Sequence, residues 1–111
     1  LEEIMLVCHG AGHNDTICFH CQQAVEKYLK GYLVFKKINP RGIHHLEEIA
    51  KDCAQFDKDF LSFLDESLLL TRYYIETRYP PLVPTEYSLR ETRKAIQIAQ
   101  KIIKFVQRKI Q

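Results

Sequence analysis

The sequence lacks three features that would place it in another class of protein. No segment alternates apolar and polar residues over a useful length, which argues against β-strands. No apolar run approaches the roughly 20 residues of a membrane-spanning helix, so no membrane partner is expected. The formal net charge is only +2, which by itself does not imply a nucleic-acid partner. The 111 residues are therefore expected to form one domain, 1–111, large enough to bury a core without disulfides.

The cysteines also lack the setting of a disulfide framework. Cys8, Cys18, Cys21 and Cys53 each lie among helical, apolar residues rather than in the loop-rich sequence of a small secreted domain. We interpret them as small core residues with reduced thiols. No signal peptide is visible, and we expect a cytoplasmic protein.

Helical periodicity and stop signals divide the chain into five predicted helices. The start of the first is expected to precede Leu1, and the fourth is expected to end before Pro80 because the residue before a proline resists the α conformation. The fold class expected is all-α, an antiparallel bundle with an up-and-down four-helix core and one short additional helix. The predicted ranges are about 1–9, 14–37, 44–54, 57–79 and 86–109.

The second predicted helix is apolar over a wide arc, which is typical of a helix at the centre of a bundle. Its polar residues His20, Gln23, Lys27 and Lys30 follow each other at helical spacing and therefore share one face. That face is either a solvated stripe or a surface for a phosphate or a base edge. Gly31 in the same helix indicates either close approach of another backbone or simple tolerance.

A group of possible zinc ligands lies near the start of this helix. Thiolates and imidazoles bind zinc, but Cys18 and Cys21 are predicted inside a helix, where His20 points about 100° away from Cys21. The Cys-x-x-Cys at 18–21 also lacks the preceding strand of thioredoxin-like sites. We expect neither a metal nor a cofactor. The residues of this group are Cys8, His9, His13, Cys18, His20 and Cys21.

The segment 71–80 interleaves Arg72 and Arg78 with three tyrosines, including Tyr79, at a predicted helix end. Guanidinium groups bind phosphates and aromatic planes stack on bases, so this composition suits a nucleotide or RNA. The alternative is that the tyrosines pack and the arginines pair with the acidic segment 44–66.

Charge is divided unevenly along the chain. Segment 44–66 has seven acidic and two basic residues, a net of −5, whereas segment 86–111 has seven basic and two acidic residues, a net of +5. The basic residues of the last helix form either a phosphate-binding footprint or the outer face of an ordinary bundle helix.

Three segments, in this order and spacing, resemble the signature of HEPN domains, the helical domains named for higher eukaryotes and prokaryotes nucleotide-binding. They are Phe-His-x-Gln-Gln-Ala-x-Glu-Lys-x-Leu-Lys at 19–30, His-x-Leu at 44–46 and Tyr-Ile-x-Thr-Arg-Tyr-Pro at 74–80. The resemblance covers residues 14–110. It implies an all-α bundle, usually a homodimer, that often acts as the partner of a minimal nucleotidyltransferase in a toxin–antitoxin pair.

Many HEPN domains are metal-independent ribonucleases in which an arginine is followed, four to six residues later, by a histidine. The histidine moves the proton of a ribose 2′-hydroxyl and the arginine stabilises the phosphorane charge. This sequence departs from that pattern, because its last histidine is His45 and neither Arg72 nor Arg78 precedes a histidine. Only two residues separate Arg41 from His44. Catalysis at the usual site is therefore not expected.

The leading hypothesis is a non-catalytic module that binds a nucleotide or RNA and associates with a minimal nucleotidyltransferase. One alternative is a ribonuclease whose arginine and histidine come from separate segments, such as Arg78 with His20 or His44. The other is a purely structural dimerisation bundle. The residues expected to bind the ligand are Arg78, Arg72, Tyr79, Lys27, Lys30 and His20.

Overall fold

The computed structural model describes residues 14–79 and 87–110. These residues form four α-helices and one 3₁₀ helix without a strand, which confirms the all-α fold class. No helix in these two ranges is long and apolar enough to cross a bilayer. The predicted helix 1–9 and the possible zinc ligands Cys8, His9 and His13 lie outside the described residues. The elements are α1 (Asn14–Phe35), α2 (Leu46–Ala54), the 3₁₀ helix (Lys58–Phe63), α3 (Leu64–Arg78) and α4 (Leu89–Ile110).

Helix α1 is the centre of the bundle and packs against α2, α3 and α4. Phe19 near its start contacts Tyr74 near the end of α3, while Tyr32 near its end contacts Phe60 just before α3. Helices α1 and α3 are therefore antiparallel. Ion pairs from Arg72 to Glu91 and from Lys101 to Glu66 likewise make α3 and α4 antiparallel.

The short helix α2 runs in the same direction as α1. The Gln22 amide donates to the carbonyl of His44, which precedes α2, and the Cys53 thiol near the end of α2 donates to the carbonyl of Leu29. Since α2 starts beside the middle of α1, segment 36–45 has to return along α1 before α2 begins. This return brings His44 against α1.

Burial supports the interpretation of the cysteines as core residues. Cys18, Cys21 and Cys53 are completely buried among aliphatic and aromatic side chains. The Cys-x-x-Cys segment is part of the middle of a packed helix, because Cys18 and Cys21 both point into the core while His20 is exposed.

Helix α1 ends two residues earlier than predicted. The Ile38 N–H bonds to the Leu33 carbonyl at 2.9 Å and the Lys37 N–H bonds to the Val34 carbonyl at 2.8 Å. These two bonds form a Schellman motif, in which the residue after the C-cap is left-handed. Lys37 has this conformation, with a φ of 64°.

The predicted continuous helix 57–79 is wrong in its first turns. Residues 58–63 are 3₁₀-helical, and in that geometry residues three apart lie on the same side. Phe60 and Phe63 can therefore both be buried, with their rings in contact. Leu68 and Ile75 are apolar residues of this segment that the sequence offers as core candidates, but both are exposed.

Helix α4 begins at Leu89, after a cap formed by Ser88, whose Oγ accepts from the Glu91 N–H at 3.0 Å. The predicted start at Glu86 lies outside the described residues. Residues at alternating steps of four and three predict an apolar stripe along this helix, and every member is buried except Ile110, which is partly buried. Its members are Thr92, Ile96, Ala99, Ile103, Val106 and Ile110.

Candidate functional site

A buried carboxylate, Glu26, lies where α1 passes the segment before α2. It accepts hydrogen bonds from Gln22 Nε2 at 3.1 Å, from Lys30 Nζ at 3.2 Å and from His44 Nδ1 at 3.0 Å. Burial by itself raises the pKa of Glu26, but the hydrogen bonds from His44, Gln22 and Lys30 outweigh it and hold the pKa below its ordinary value of 4.5. Glu26 is therefore ionised at neutral pH.

Gln22 fixes the backbone at His44. Its amide group is completely buried, and Nε2 donates both to Glu26 and to the His44 carbonyl, the latter at 2.9 Å. Because a side-chain amide has two N–H groups, both donors are satisfied. The Gln22 Oε1 in turn accepts from Gln23 Nε2 at 2.6 Å.

The His44 ring stacks on the ring of Tyr74, with a centroid distance of 4.6 Å and an interplanar angle of 26°. Tyr74 also stacks on Phe19 at 6.3 Å. Because an ionised carboxylate only accepts hydrogen bonds, the proton on Nδ1 of His44 faces Glu26, and Nε2 lies at the other edge of the ring. We refer to Gln22, Glu26, Lys30, His44 and Tyr74 as the Glu26–His44 cluster.

A second set of hydrogen bonds ties the start of α2 to α3. Thr71 Oγ1 accepts from the Leu46 N–H and donates to Glu47 Oε1, both at 2.9 Å. Since Thr71 is buried, it holds the first turn of α2 in place. The cluster is assembled from three parts of the chain: α1, His44 in the segment before α2, and Tyr74 on α3.

Of the predicted ligand-binding residues, Lys30 lies in the cluster itself. Its Nζ and the His44 Nδ1 contact the same Glu26 Oε2, at 3.2 and 3.1 Å. His20 is exposed and its ring contacts Phe19 at 6.1 Å. Lys27 is exposed on the same helix and forms no ion pair with any residue in 14–79 or 87–110.

Arg78 and Tyr79 lie at the end of α3. Arg78 follows Tyr74 by four residues, which places both on one face of the helix. It is exposed and has no ion-pair partner in the part of the chain that the structure describes. The Tyr79 side chain is exposed as well. The backbone N–H of Tyr79 donates to the Ile75 carbonyl at 2.8 Å at the end of the helix.

Arg72 is not brought to the cluster. It bonds to Glu91 at 2.7 Å and lies 3.5 Å from Glu76, so its side chain faces α4. Arg72 precedes Tyr74 by two residues and therefore lies on a different face of α3. Neither partner belongs to the acidic segment 44–66. Of the six predicted residues, Lys30 therefore has a contact within the cluster and Arg72 is engaged elsewhere.

Sequence reasoning missed the cluster's central members. Gln22 and Glu26 are buried, although both belong to the polar residues of the helix. One signal was available, since Gln22 lies four residues after Cys18 and three before Val25, on the apolar side of α1. Buried polar groups need hydrogen-bond partners, and Gln22 and Glu26 bond both to each other and to His44.

Other candidate surfaces show ordinary structural contacts. On α4, Lys101 pairs with Glu66, and Lys109 pairs with Asp57 and Asp59, so part of its basic face joins it to the rest of the bundle. Within the described ranges no group of three or more His, Cys, Asp or Glu side chains could hold a metal ion. A groove of about 490 Å³ lies between the start of α2 and α3.

Comparison with known families gives one result. The family model described as HEPN domain matches residues 2–109, nearly the whole chain. No curated protein and no solved structure matches the chain.

Proposed function

The chain belongs to the HEPN domain family, a nucleotide-binding or ribonuclease-type helical module, and we propose that it binds the phosphate of a nucleotide or RNA beside the Glu26–His44 cluster. The observation that carries the proposal is the stack of the His44 ring on Tyr74, with the exposed Arg78 one helical turn beyond Tyr74. Lys30 contacts the same Glu26 oxygen as His44.

The available charge supports this placement. Arg78 and Lys27 are exposed cations without ion pairs in the described residues, so a phosphate does not have to displace a carboxylate from them. A guanidinium group can bind two phosphate oxygens at once. His20 and Tyr79 have exposed rings that could contact the ligand in this proposal. Carboxylates engage both Lys30, through Glu26, and Arg72, through Glu76 and Glu91, so Arg78 and Lys27 provide the unpaired positive charge for the phosphate.

Titration calorimetry with ATP, GTP and a short single-stranded RNA tests the proposal. Hydrogen bonds to charged groups contribute about 1.5–3 kcal/mol, so Arg78→Ala is expected to weaken binding by roughly 10- to 100-fold. Arg93→Ala is the matched control, because Arg93 is an exposed arginine on α4. Equal affinities of wild type and Arg78→Ala, or no binding to the wild type, would contradict the proposal.

We further propose that the module is a cytoplasmic homodimer that pairs with a minimal nucleotidyltransferase in a toxin–antitoxin system. The support is its family membership and the absence of the arginine–histidine spacing of catalytic members. A neighbouring reading frame with a Gly-Ser and Asp-x-Asp pattern would encode the partner. Co-expression and light scattering would then show a dimer of this chain in complex with it, whereas a monomer that elutes alone would contradict this part of the proposal.

A second candidate function is ribonuclease activity with His44 as the general base. One observation favours it: Glu26 holds the Nδ1 proton of His44, which leaves Nε2 free to accept the proton of a ribose 2′-hydroxyl. Incubation of labelled RNA with the protein in EDTA decides between the two. Cleavage that disappears in His44→Ala would favour the ribonuclease function, and RNA that stays intact with the wild type would favour the non-catalytic binding function.

A further inference from the structure

We propose that the exposed face of His44 is a stacking platform for a nucleobase, so that the site binds the base as well as the phosphate of its ligand. This inference rests on the proposed phosphate-binding function and adds a base subsite to it. The rings of Phe19, Tyr74 and His44 form a stack in which His44 is the outer member. The His44 side chain is 44% exposed, and since Tyr74 covers one face and Glu26 one edge, the exposed area is the opposite face with the Nε2 edge.

The plane of His44 is fixed before any ligand arrives. Its carbonyl accepts from Gln22, its Nδ1 donates to Glu26, and its inner face lies on Tyr74. A surface ring that is free to rotate would lose rotamer entropy on binding, whereas a ring held by Glu26 at one edge and by Tyr74 on one face loses less.

The position of the cations fits a base with an attached phosphate. Lys30 reaches the same Glu26 oxygen as His44, and Arg78 lies one helical turn beyond Tyr74. Arg78 has no carboxylate partner among the described residues, so it is the cation of α3 expected to bind the phosphate of a ligand that stacks on His44. The first turn of α2 carries Glu47 and Glu48, which disfavours a phosphate there and directs it towards α1 and α3.

Base–aromatic stacking tolerates any base, because every base has a π-face. The ligand class is therefore a nucleoside phosphate, either free or as a unit of single-stranded RNA. A polyphosphate without a base would use only the cations. The difference in affinity between ATP and inorganic tripolyphosphate therefore measures the contribution of the stacking contact.

Two substitutions test the contribution of the His44 ring and that of its hydrogen bond separately. His44→Gln keeps a donor for Glu26 and preserves the network, but it removes the aromatic plane. His44→Phe keeps the plane and loses the hydrogen bond. His45→Ala is the control, since His45 is an exposed neighbour whose side chain makes no capping bond to α2.

The experiment measures the affinities of ATP, a short RNA and tripolyphosphate for each full-length variant by calorimetry, with folding checked by circular dichroism. His44→Gln is expected to weaken the binding of ATP and of RNA roughly tenfold and to leave the affinity for tripolyphosphate unchanged. His44→Phe is expected to retain most of the ATP affinity. An ATP affinity that His44→Gln does not change, or an equal loss for tripolyphosphate, would overturn the base subsite.

The same measurements distinguish failure of this inference from failure of the proposed function. Binding that depends on Arg78 but not on His44 overturns the stacking platform alone. No binding of any of the three ligands to the wild type overturns both. ATP binding without RNA binding assigns the platform to free nucleotides, and the reverse assigns it to RNA.

Discussion

Removal of the Glu26 carboxylate should destabilise the fold substantially. Glu26→Ala leaves the buried Gln22 without one acceptor, and an unsatisfied buried donor costs about 1–3 kcal/mol. His44 and Lys30 are partly exposed and can return to water, so the loss of their bonds adds roughly 1 kcal/mol more. The expected loss in free energy of unfolding is about 3 kcal/mol. Glu26→Gln, which keeps the volume and one acceptor, should cost about 1 kcal/mol.

Urea denaturation at neutral pH measures these changes. The matched control is Glu48→Ala, which removes a glutamate that pairs with Lys51 at 3.3 Å on the exposed face of α2. Exposed pairs of this kind contribute about 0–1 kcal/mol. A loss for Glu26→Ala no larger than that for Glu48→Ala would refute the view that Glu26 is the centre of a buried network.

The stability difference between wild type and Glu26→Ala varies with pH in a way set by the direction of the Glu26 pKa shift. The pKa of Glu26 is lower in the folded protein than its ordinary value of 4.5, so ionised Glu26 stabilises the fold above about pH 4.5, and this stabilisation is lost as the pH falls through the folded-state pKa. The gap between wild type and Glu26→Ala should therefore narrow below about pH 4.5. A gap that widens on acidification would contradict this assignment.

Three further predictions concern single sites. Gly31→Ala should raise the free energy of unfolding by about 0.5–1 kcal/mol, because a Cβ there meets nothing within 4 Å; a lower urea midpoint would contradict this. Ser67→Ala should be neutral or stabilising by up to about 1 kcal/mol, because the buried Ser67 hydroxyl has no hydrogen-bond partner among the described residues; a loss of more than about 1 kcal/mol in a thermal melt would show that it has one. Burial raises the pKa of the Cys18 thiol to about 11 and that of Cys53 to about 12, so peptide mapping after iodoacetamide treatment should find both labelled only in urea-unfolded protein.

The sequence predicted the fold where one face of a helix is consistently apolar. Helix α4 has such a stripe, and every member is at least partly buried. Helix α1 was correctly predicted, from its wide apolar arc, to be central. The prediction was less complete at α3, because its apolar residues do not lie on one face. Leu68 and Ile75 are exposed, whereas the polar residues Ser67 and Thr71 are buried.

The site was harder to predict because its parts come from different segments. Lys30 and His20 could be recognised on one face of α1 from helical spacing alone. Glu26 and His44 are 18 residues apart, and they meet only because segment 36–45 returns along α1 before α2 begins. That path depends on the left-handed Lys37, which no residue preference signals, since glycine is the usual residue there.

The place where the ligand binds can be mapped residue by residue. A nitrogen-15 NMR titration with ATP follows the backbone amides of the chain together. The largest shifts are expected in residues 19–30, in residues 44–46 and in residues 74–79, around the Glu26–His44 cluster. Shifts confined to the basic face of α4 or to the groove beside Glu47 and Asp65, or no shifts at saturating ATP and RNA, would contradict this expectation.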